Sequence, residues 1–299
     1  MPELPDVTVY VESIAARVAG QPLQGIRVAS PFVVRTVDPP LAAASGKRIQ
    51  EVRRLGKRIV FVLEDGLFLV VHLMIAGRFK WLEPRAKIPG KVGLAAFDFP
   101  SGTLLLTEAA TKKRASIHLA RSLDEFKRPG IEPLQCTLEE FDAALRRENH
   151  TLKRALTDPR LFSGIGNAYS DEILHRARLS PALLTRKMSP ADVQALFEAT
   201  RGVLGEWTAR LREEARERFP EKVTAFRDDF AVHGKYRKAC PVCGTAVQRV
   251  AYADNETNYC PRCQTAGKLL SDRSLARLLH EDWPRTIEEL EERFPARGK

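Results

Sequence analysis

Apolar positions along the chain fall into two regimes. Over residues 5–19, Val7, Val11, Ile14 and Val18 recur three and four apart, the period of one helix face. Asp6 suits the positive end of that helix, and Gly20 and Pro22 stop it. From residue 23 to about 122 the helical period disappears. The runs "RIVFVL", "LFLVVHLMIAGRF", "LAAFDF" and "TLLLTE" are rich in β-formers, and Asp65-Gly66 and Ser101-Gly102 supply hairpin turns. The pattern predicts a β-sandwich carrying the first helix.

A linker follows at "KRPGIEPLQCT" (127–137), with two prolines and a glycine. Helical signals return after it. Thr137-Leu-Glu-Glu140 has the spacing of a capping box. Ser189-Pro190 with Asp192 opens a long helix whose inward face is Val193, Leu196, Thr200, Val203, Trp207 and Leu211. The tail, 269–299, has two short amphipathic stretches separated by Trp283-Pro284. The fold class is α+β, and no internal repeat or low-complexity segment interrupts it.

Composition narrows the partners. The chain has 299 residues, enough for two or three domains at roughly 100–200 residues each. Its formal net charge is +10 and its pI is near 9.5, a balance that attracts polyanions, nucleic acid foremost. The sequence has no apolar run of membrane-spanning length, and its N-terminus carries acids rather than a secretory signal. The expectation is a cytoplasmic protein with no membrane partner, nucleoid-associated if its source is prokaryotic.

Four of the five cysteines form two tight pairs, Cys240-Pro-Val-Cys243 and Cys260-Pro-Arg-Cys263, sixteen residues apart. Each pair bends sharply enough to aim two sulfurs at one point, and two such pairs complete a tetrahedral site. One structural zinc ion is expected, in a ribbon occupying 232–268. The site has no open position, so the metal folds the module rather than reacting. Cys136 stands alone.

The stretch "DPRLFSGIGNAYSDEIL" (158–174) is the second informative element. Asp158-Pro159 breaks a helix, Gly164-Ile165-Gly166 makes a tight turn, and Asn167 is expected at the N-cap of the next helix. Amides in such a turn can hold a phosphate, and Lys153 and Arg154 lie one helix earlier. An ordinary helix connector would carry the same glycines.

The third element is the opening, "MPELPDVTVY". If Met1 is removed, Pro2 becomes a secondary amine with Glu3 beside it. In order along the chain, "PELPD", "RRLGKR" (53–58), "VHLMIAG" (71–77), "SGIGNAYSDEIL" and the four cysteines resemble the formamidopyrimidine-DNA glycosylase / endonuclease VIII family of base-excision repair enzymes. The likeness covers roughly residues 1–264. It implies an N-terminal catalytic β-sandwich (1–126), a helix–two-turn–helix DNA-binding domain (127–231), the zinc ribbon (232–268) and an added helical tail (269–299).

The resemblance also implies roles. Pro2 would attack C1′ of a damaged nucleotide and form an iminium ion, which drives elimination of the flanking phosphates. Glu3 would act as general acid and base. Lys57 occupies the place of the family's functional lysine and is expected with Pro2 and Glu3 in the catalytic set; Lys57, His72 and Asn167 match positions that hold phosphates near an everted nucleotide. The expected partner is damaged DNA, bound by a monomer.

The sequence departs from the family pattern in places that bear on substrate. The finger-arginine position is Asn255, with Arg249 nearby. Ile75, next to Met74, stands where the family has a void-filling methionine. The segment that usually supplies an arginine and a phenylalanine reads "EAATKKRAS" (108–116), which offers Lys112, Lys113 and Arg114 but no aromatic wedge. "RFPEKVTAFRDDFAVHGKY" (218–236) is short for a lesion-capping loop. An apolar plug normally offsets the unstacking left by eversion, so these departures predict a preference for single-stranded or distorted DNA. They equally suit a non-catalytic zinc-containing DNA-binding protein on the same fold. An RNA-associated zinc protein would leave Pro2-Glu3 unexplained.

Overall fold

The alternation of strand β3 (Arg58–Leu63) sets the architecture. Ile59, Phe61 and Leu63 enter one large core, while Val60 faces a second cluster with Val70, Leu123 and Phe126. Both faces of β3 are therefore apolar, and each is covered. The structure is a computed structural model that describes residues 1–299 apart from 222, 224, 225, 253, 254, 272–283 and 294–299. The side chains of Tyr252, Asn255 and Glu291 also lie outside the described set, as does Trp283.

The chain divides into two compact units, 1–128 with 205–225, and 129–204 with 226–299. The first contains helix α1 (Leu4–Val18) and strands β1 (Gly25–Val28), β2 (Ile49–Leu55), β3, β4 (Phe68–His72), β5 (Gly77–Leu82), β6 (Gly93–Phe99), β7 (Gly102–Glu108) and β8 (Ser116–Ala120). These make two four-stranded antiparallel sheets, in the orders β1-β6-β7-β5 and β2-β3-β4-β8. Phe61 of one sheet stacks on Phe97 of the other with ring centroids 6.1 Å apart. Val7, Tyr10, Ile14 and Val18 of α1 complete the same core. The sandwich and its helix stand as the sequence predicts.

The hairpins refine that prediction. Phe99 pairs with Gly102, so the turn is Pro100-Ser101 and Gly102 already belongs to the strand. A side chain at Gly102 would press within 2.5 Å of the Trp81 ring, which explains glycine there better than turn chemistry does. Asp65 and Gly66 both have positive φ, the twist a tight hairpin requires.

The second unit holds α2 (Leu138–Arg146), α3 (Leu152–Thr157), α4 (Asn167–Arg176), and the start of α5 (Pro190–Glu214). Strands β9 (Gln248–Tyr252) and β10 (Asn255–Tyr259) form an antiparallel ribbon followed by α6 (Pro261–Thr265). Thr137 and Glu140 make the reciprocal capping box at the start of α2. Ser189 and Asp192 do the same at α5. The α5 residues expected to face inward are all buried. Of the tail, α7 (Ile287–Arg293) is described, and the preceding segment bridges Thr286 to Lys268 beside the ribbon. Among the described residues no helix is long and apolar enough to cross a membrane.

Candidate active site and metal centre

At one end of the sandwich the N-terminus is packed rather than loose. Pro2 is buried and Glu3 is only 2% exposed. Glu3 is the N-cap of α1 in extended conformation, and its amide donates to Asp6 Oδ2 at 2.9 Å. Burial lowers the pKa of the Met1 amine; the Glu3 and Asp6 carboxylates oppose that shift, and Arg78 and Lys57 reinforce it. Two carboxylates and two cations thus surround the start of the chain.

Lys57 belongs to the two-residue turn Gly56-Lys57 between β2 and β3, where Gly56 has φ +61°. The strand pairing carries the site onward. Arg58 lies opposite His72, and His72 lies opposite Ser116 on β8. Burial, then Arg58, Lys57 and His118, hold the His72 pKa down at about 4. His72 is neutral at pH 7 and can meet a phosphate as a hydrogen-bond partner but not as a charge.

Two loops flank this edge. In the first, the Gly77 amide donates to the Leu73 carbonyl at 2.9 Å and closes a turn whose tip is Ile75, 55% exposed. Met74 takes φ +52° there, and a Cβ on Gly77 would lie 2.2 Å from the Leu73 oxygen. Arg78 braces the turn by donating to the carbonyls of Gly77 (2.6 Å) and Ile75 (3.2 Å). Gly77 pairs with Glu108, and the buried Glu108 carboxylate clasps the second loop. Its Oε2 accepts from the amides of Arg114 (2.8 Å) and Ala115 (3.1 Å), and the Lys113 ammonium donates to its carbonyl. Lys112 and Arg114 project from that loop into solvent.

In the second unit the glycine loop is pinned from the side. Ile131 N donates to Leu161 O, Ser163 N returns to Ile131 O, and the Ser163 hydroxyl donates to Glu132 at 2.6 Å. Gly164 carries φ +80°. The cap of α4 is Gly166, not Asn167: Gly166 is extended and its carbonyl accepts the Ser170 amide at 3.1 Å, so the helix starts there. Asn167 is the first helical residue. Its side chain is thereby free to turn away, and Nδ2 donates to Glu256 O on β10 at 2.9 Å.

Lys153 reaches the same helix. Its ammonium donates to Asn167 O (2.7 Å) and Asp171 Oδ1 (2.5 Å), while Arg154 is exposed. Asp171 is buried, and its other oxygen meets His233 Nδ1 (2.7 Å) and the Asn258 amide (3.2 Å). Glu172 accepts the amides of Ala231, Val232 and His233 at 2.7–2.9 Å. Burial raises its pKa against the pull of those three amides. Arg249 lies over the Tyr236 ring and pairs with Glu256 at 3.0 Å; the Asn255 side chain lies outside the described residues.

The four cysteine sulfurs lie within 4.8 Å of one another. Cys240 and Cys263 are 3.9 Å apart and Cys243 and Cys260 3.4 Å, too far for disulfides. A tetrahedral zinc site with bonds near ~2.3 Å has sulfur–sulfur edges of about 3.8 Å. Burial raises the Cys260 pKa, and raises that of Cys263 to about 11. Burial also pushes Cys243 up, but hydrogen bonds with the Thr245 hydroxyl and amide and with Cys260 and Cys263 together outweigh it and hold that thiol at about 6. Such a cluster resists full ionisation until a cation enters, and the donor set fits one zinc ion.

Sequence patterning did not single out Arg78, Glu108, Asp171, Glu172, His175 or His233. Arg78 and Glu108 sit in strands where neither spacing nor composition marks them. The Asp171-Glu172 pair did carry a signal: adjacent acids inside a helix that is buried on most sides must find partners.

The pattern of the formamidopyrimidine-DNA glycosylase N-terminal domain matches residues 1–120, that of its H2TH domain 130–213, and that of the zinc finger found in FPG and IleRS 237–266. The chain therefore belongs to the formamidopyrimidine-DNA glycosylase family of DNA-repair enzymes. It is 33% identical over 279 residues to the formamidopyrimidine-DNA glycosylase of Thermus thermophilus, a match covering 89% of this chain and all of the relative. A solved FPG protein from Thermus thermophilus superposes with TM-score 0.74 at 32% identity, covering 88% of this chain and 98% of that one. A Lactococcus lactis FPG variant crystallised with Fapy-dG-containing DNA gives TM-score 0.77 at 25% identity, covering 88% and 100%.

Proposed function

We propose that the chain is a bifunctional DNA glycosylase and abasic-site lyase whose nucleophile is the Pro2 amine, exposed once Met1 is removed. One observation carries this reading: Pro2 and Glu3 are buried, and the charges of Glu3, Arg78, Asp6 and Lys57 act on the amine that ends the chain beside them. The amine lone pair forms a bond to C1′, and the bond from C1′ to the base breaks with its electrons leaving on the base. The amine N–H proton passes to the departing base, ring opening then gives a cationic iminium, and the freed O4′ takes a proton. The iminium acidifies C2′–H; loss of that proton expels the 3′ phosphate, and a second elimination releases the 5′ phosphate. An α-amine has a reference pKa of about 7.7–8.0; burial first, then Arg78 and Lys57, lower that of the Met1 amine, and the same surroundings would favour an uncharged Pro2 amine.

In this reading Glu3 exchanges protons with the ring oxygen and leaving group. Lys57, neutral His72, Lys112, Arg114, Lys153, Asn167 and Asn255 contact DNA. The division at 1–126, 127–231, 232–268 and 269–299 then separates catalytic, DNA-gripping, metal and added modules. We place the enzyme in the cytoplasm as a monomer acting on damaged DNA. The 109–115 loop offers cations and no aromatic ring, with Ile75 the exposed apolar tip opposite, and this supports a preference for distorted or single-stranded substrates.

Borohydride trapping on abasic-site DNA tests the mechanism. The expected result is a covalent adduct with protein whose intact mass lacks Met1, and its loss in Pro2→Ala. DNA retention in gel shifts without any adduct would replace the lyase by a non-catalytic DNA-binding protein on this fold.

A further inference from the structure

We propose that His175 is a positioning residue of the four-cysteine site, donating its Nε2–H to the Cys240 sulfur and tying the metal to the helix behind the glycine loop. The two atoms are 3.3 Å apart, a hydrogen-bonding distance for sulfur, and both residues are buried. They lie 65 positions apart in sequence, so the contact is made by folding and not by local turn geometry.

His175 sits in the last turn of α4 beside the buried Ile173 and Leu174. An imidazole placed there loses water and must recover a hydrogen bond. The sulfur accepts from either form of the ring, because the neutral Nε2–H tautomer and the imidazolium both donate at that nitrogen. The contact itself fixes the tautomer.

Four thiolates around one zinc ion leave two units of negative charge on the sulfurs. An N–H donor aimed at one of them spreads that charge, makes the thiolate less basic and slows its protonation and departure. The other end of α4 carries Gly166 and Asn167, and Asn167 bonds to β10 at Glu256. The ribbon is thus gripped at both ends of one helix, by an amide at the first residue and by the metal's own ligand at the last turn.

The test uses the zinc-loaded full-length chain and its cobalt(II)-substituted form. His175→Phe and His175→Met remove the donor with different shapes; His175→Gln keeps an N–H near the Nε2 position. Zinc transfer to a colorimetric chelator is expected to be about tenfold faster in both non-donor variants. Their sulfur-to-cobalt charge-transfer band should move to lower energy, since an unbonded thiolate is easier to oxidise. His175→Gln should restore both readouts towards the parent. A folded non-donor variant with parental release and an unmoved band would overturn the proposal, as would a Gln variant that behaves like Phe and Met.

Discussion

Lys153 and Asp171 form a buried ion pair at 2.5 Å, with side chains 13% and 0% exposed. The pair joins α3 to α4, and through Asp171 it reaches His233 and the Asn258 amide. A charge so placed is retained by its partners, and removing one partner leaves the other uncompensated. Asp171→Asn is therefore expected to cost about 3 kcal/mol of stability, the lower range for breaking a buried pair. Urea unfolding followed at the second unit would check it; an unchanged midpoint would mean that Lys153 finds solvent at no cost.

The last position of the turn at Leu73–Gly77 has no room for a Cβ. At Gly77 the clash is with a backbone oxygen at 2.2 Å, which cannot rotate away. Gly77→Ala should destabilise the first unit by about 2 kcal/mol or more and displace Ile75. A thermal melt within a degree of the parent would contradict this.

His72 predicts a pH effect. Its folded pKa is near 4, depressed first by burial and then by Arg58, Lys57 and His118, against an ordinary value of 6.5. The unfolded chain binds the proton first. The stability from the neutral ring is complete above pH 6.5 and is lost as pH falls towards 4, by an amount on the order of 2–3 kcal/mol. His72→Gln should flatten the curve over that window relative to the parent. Parallel curves for the two proteins would show that the ring does not titrate in this way.

Much of this was legible from periodicity. The apolar face of α1, the caps at Thr137 and Ser189 and the inward face of α5 follow from side-chain spacing, β3 follows from its run of β-formers, and folding leaves them little choice. The cysteine pairs were legible because metal geometry dictates their spacing. What escaped was set by tertiary contact. Nothing in "GRFKWL" marks Arg78 as neighbour to the first residue, and Glu108 looks like a strand end until its loop folds back on it. Asn167 looked like a cap because Asn-rich caps are common, but the glycine before it takes that role and releases its side chain to the ribbon.

Lys57 stands on a two-residue turn whose side chain contributes charge at the N-terminus. If it meets a phosphate, neutralising it as Lys57→Met should reduce the slope of log binding constant against log salt by about one unit. Binding to undamaged and damaged duplexes should weaken alike, because a phosphate contact carries no sequence information. Equal slopes in parent and variant would remove Lys57 from the DNA contacts and leave it an influence on the amine alone.

Metal removal should be felt unevenly. The ribbon's own apolar cluster is small, with Val232, Cys240, Val247 and Cys260 as its buried members among the described residues. So little apolar surface does not hold a fold without a staple. Once a chelator strips the zinc, the sulfurs must take back protons and separate, since four crowded thiolates repel. The disturbance then has defined routes into α4: His175 from Cys240, Asn167 from Glu256, and Asp171 from Asn258. Hydrogen exchange should accelerate across 231–268 and at the amides of Ala231, Val232 and His233 that Glu172 holds. The paired amides of β3 and β4 belong to the other compact unit and should exchange as before. Acceleration confined to the cysteine loops, with those three amides still protected, would show that the carboxylate clamps of α4 stand without the metal.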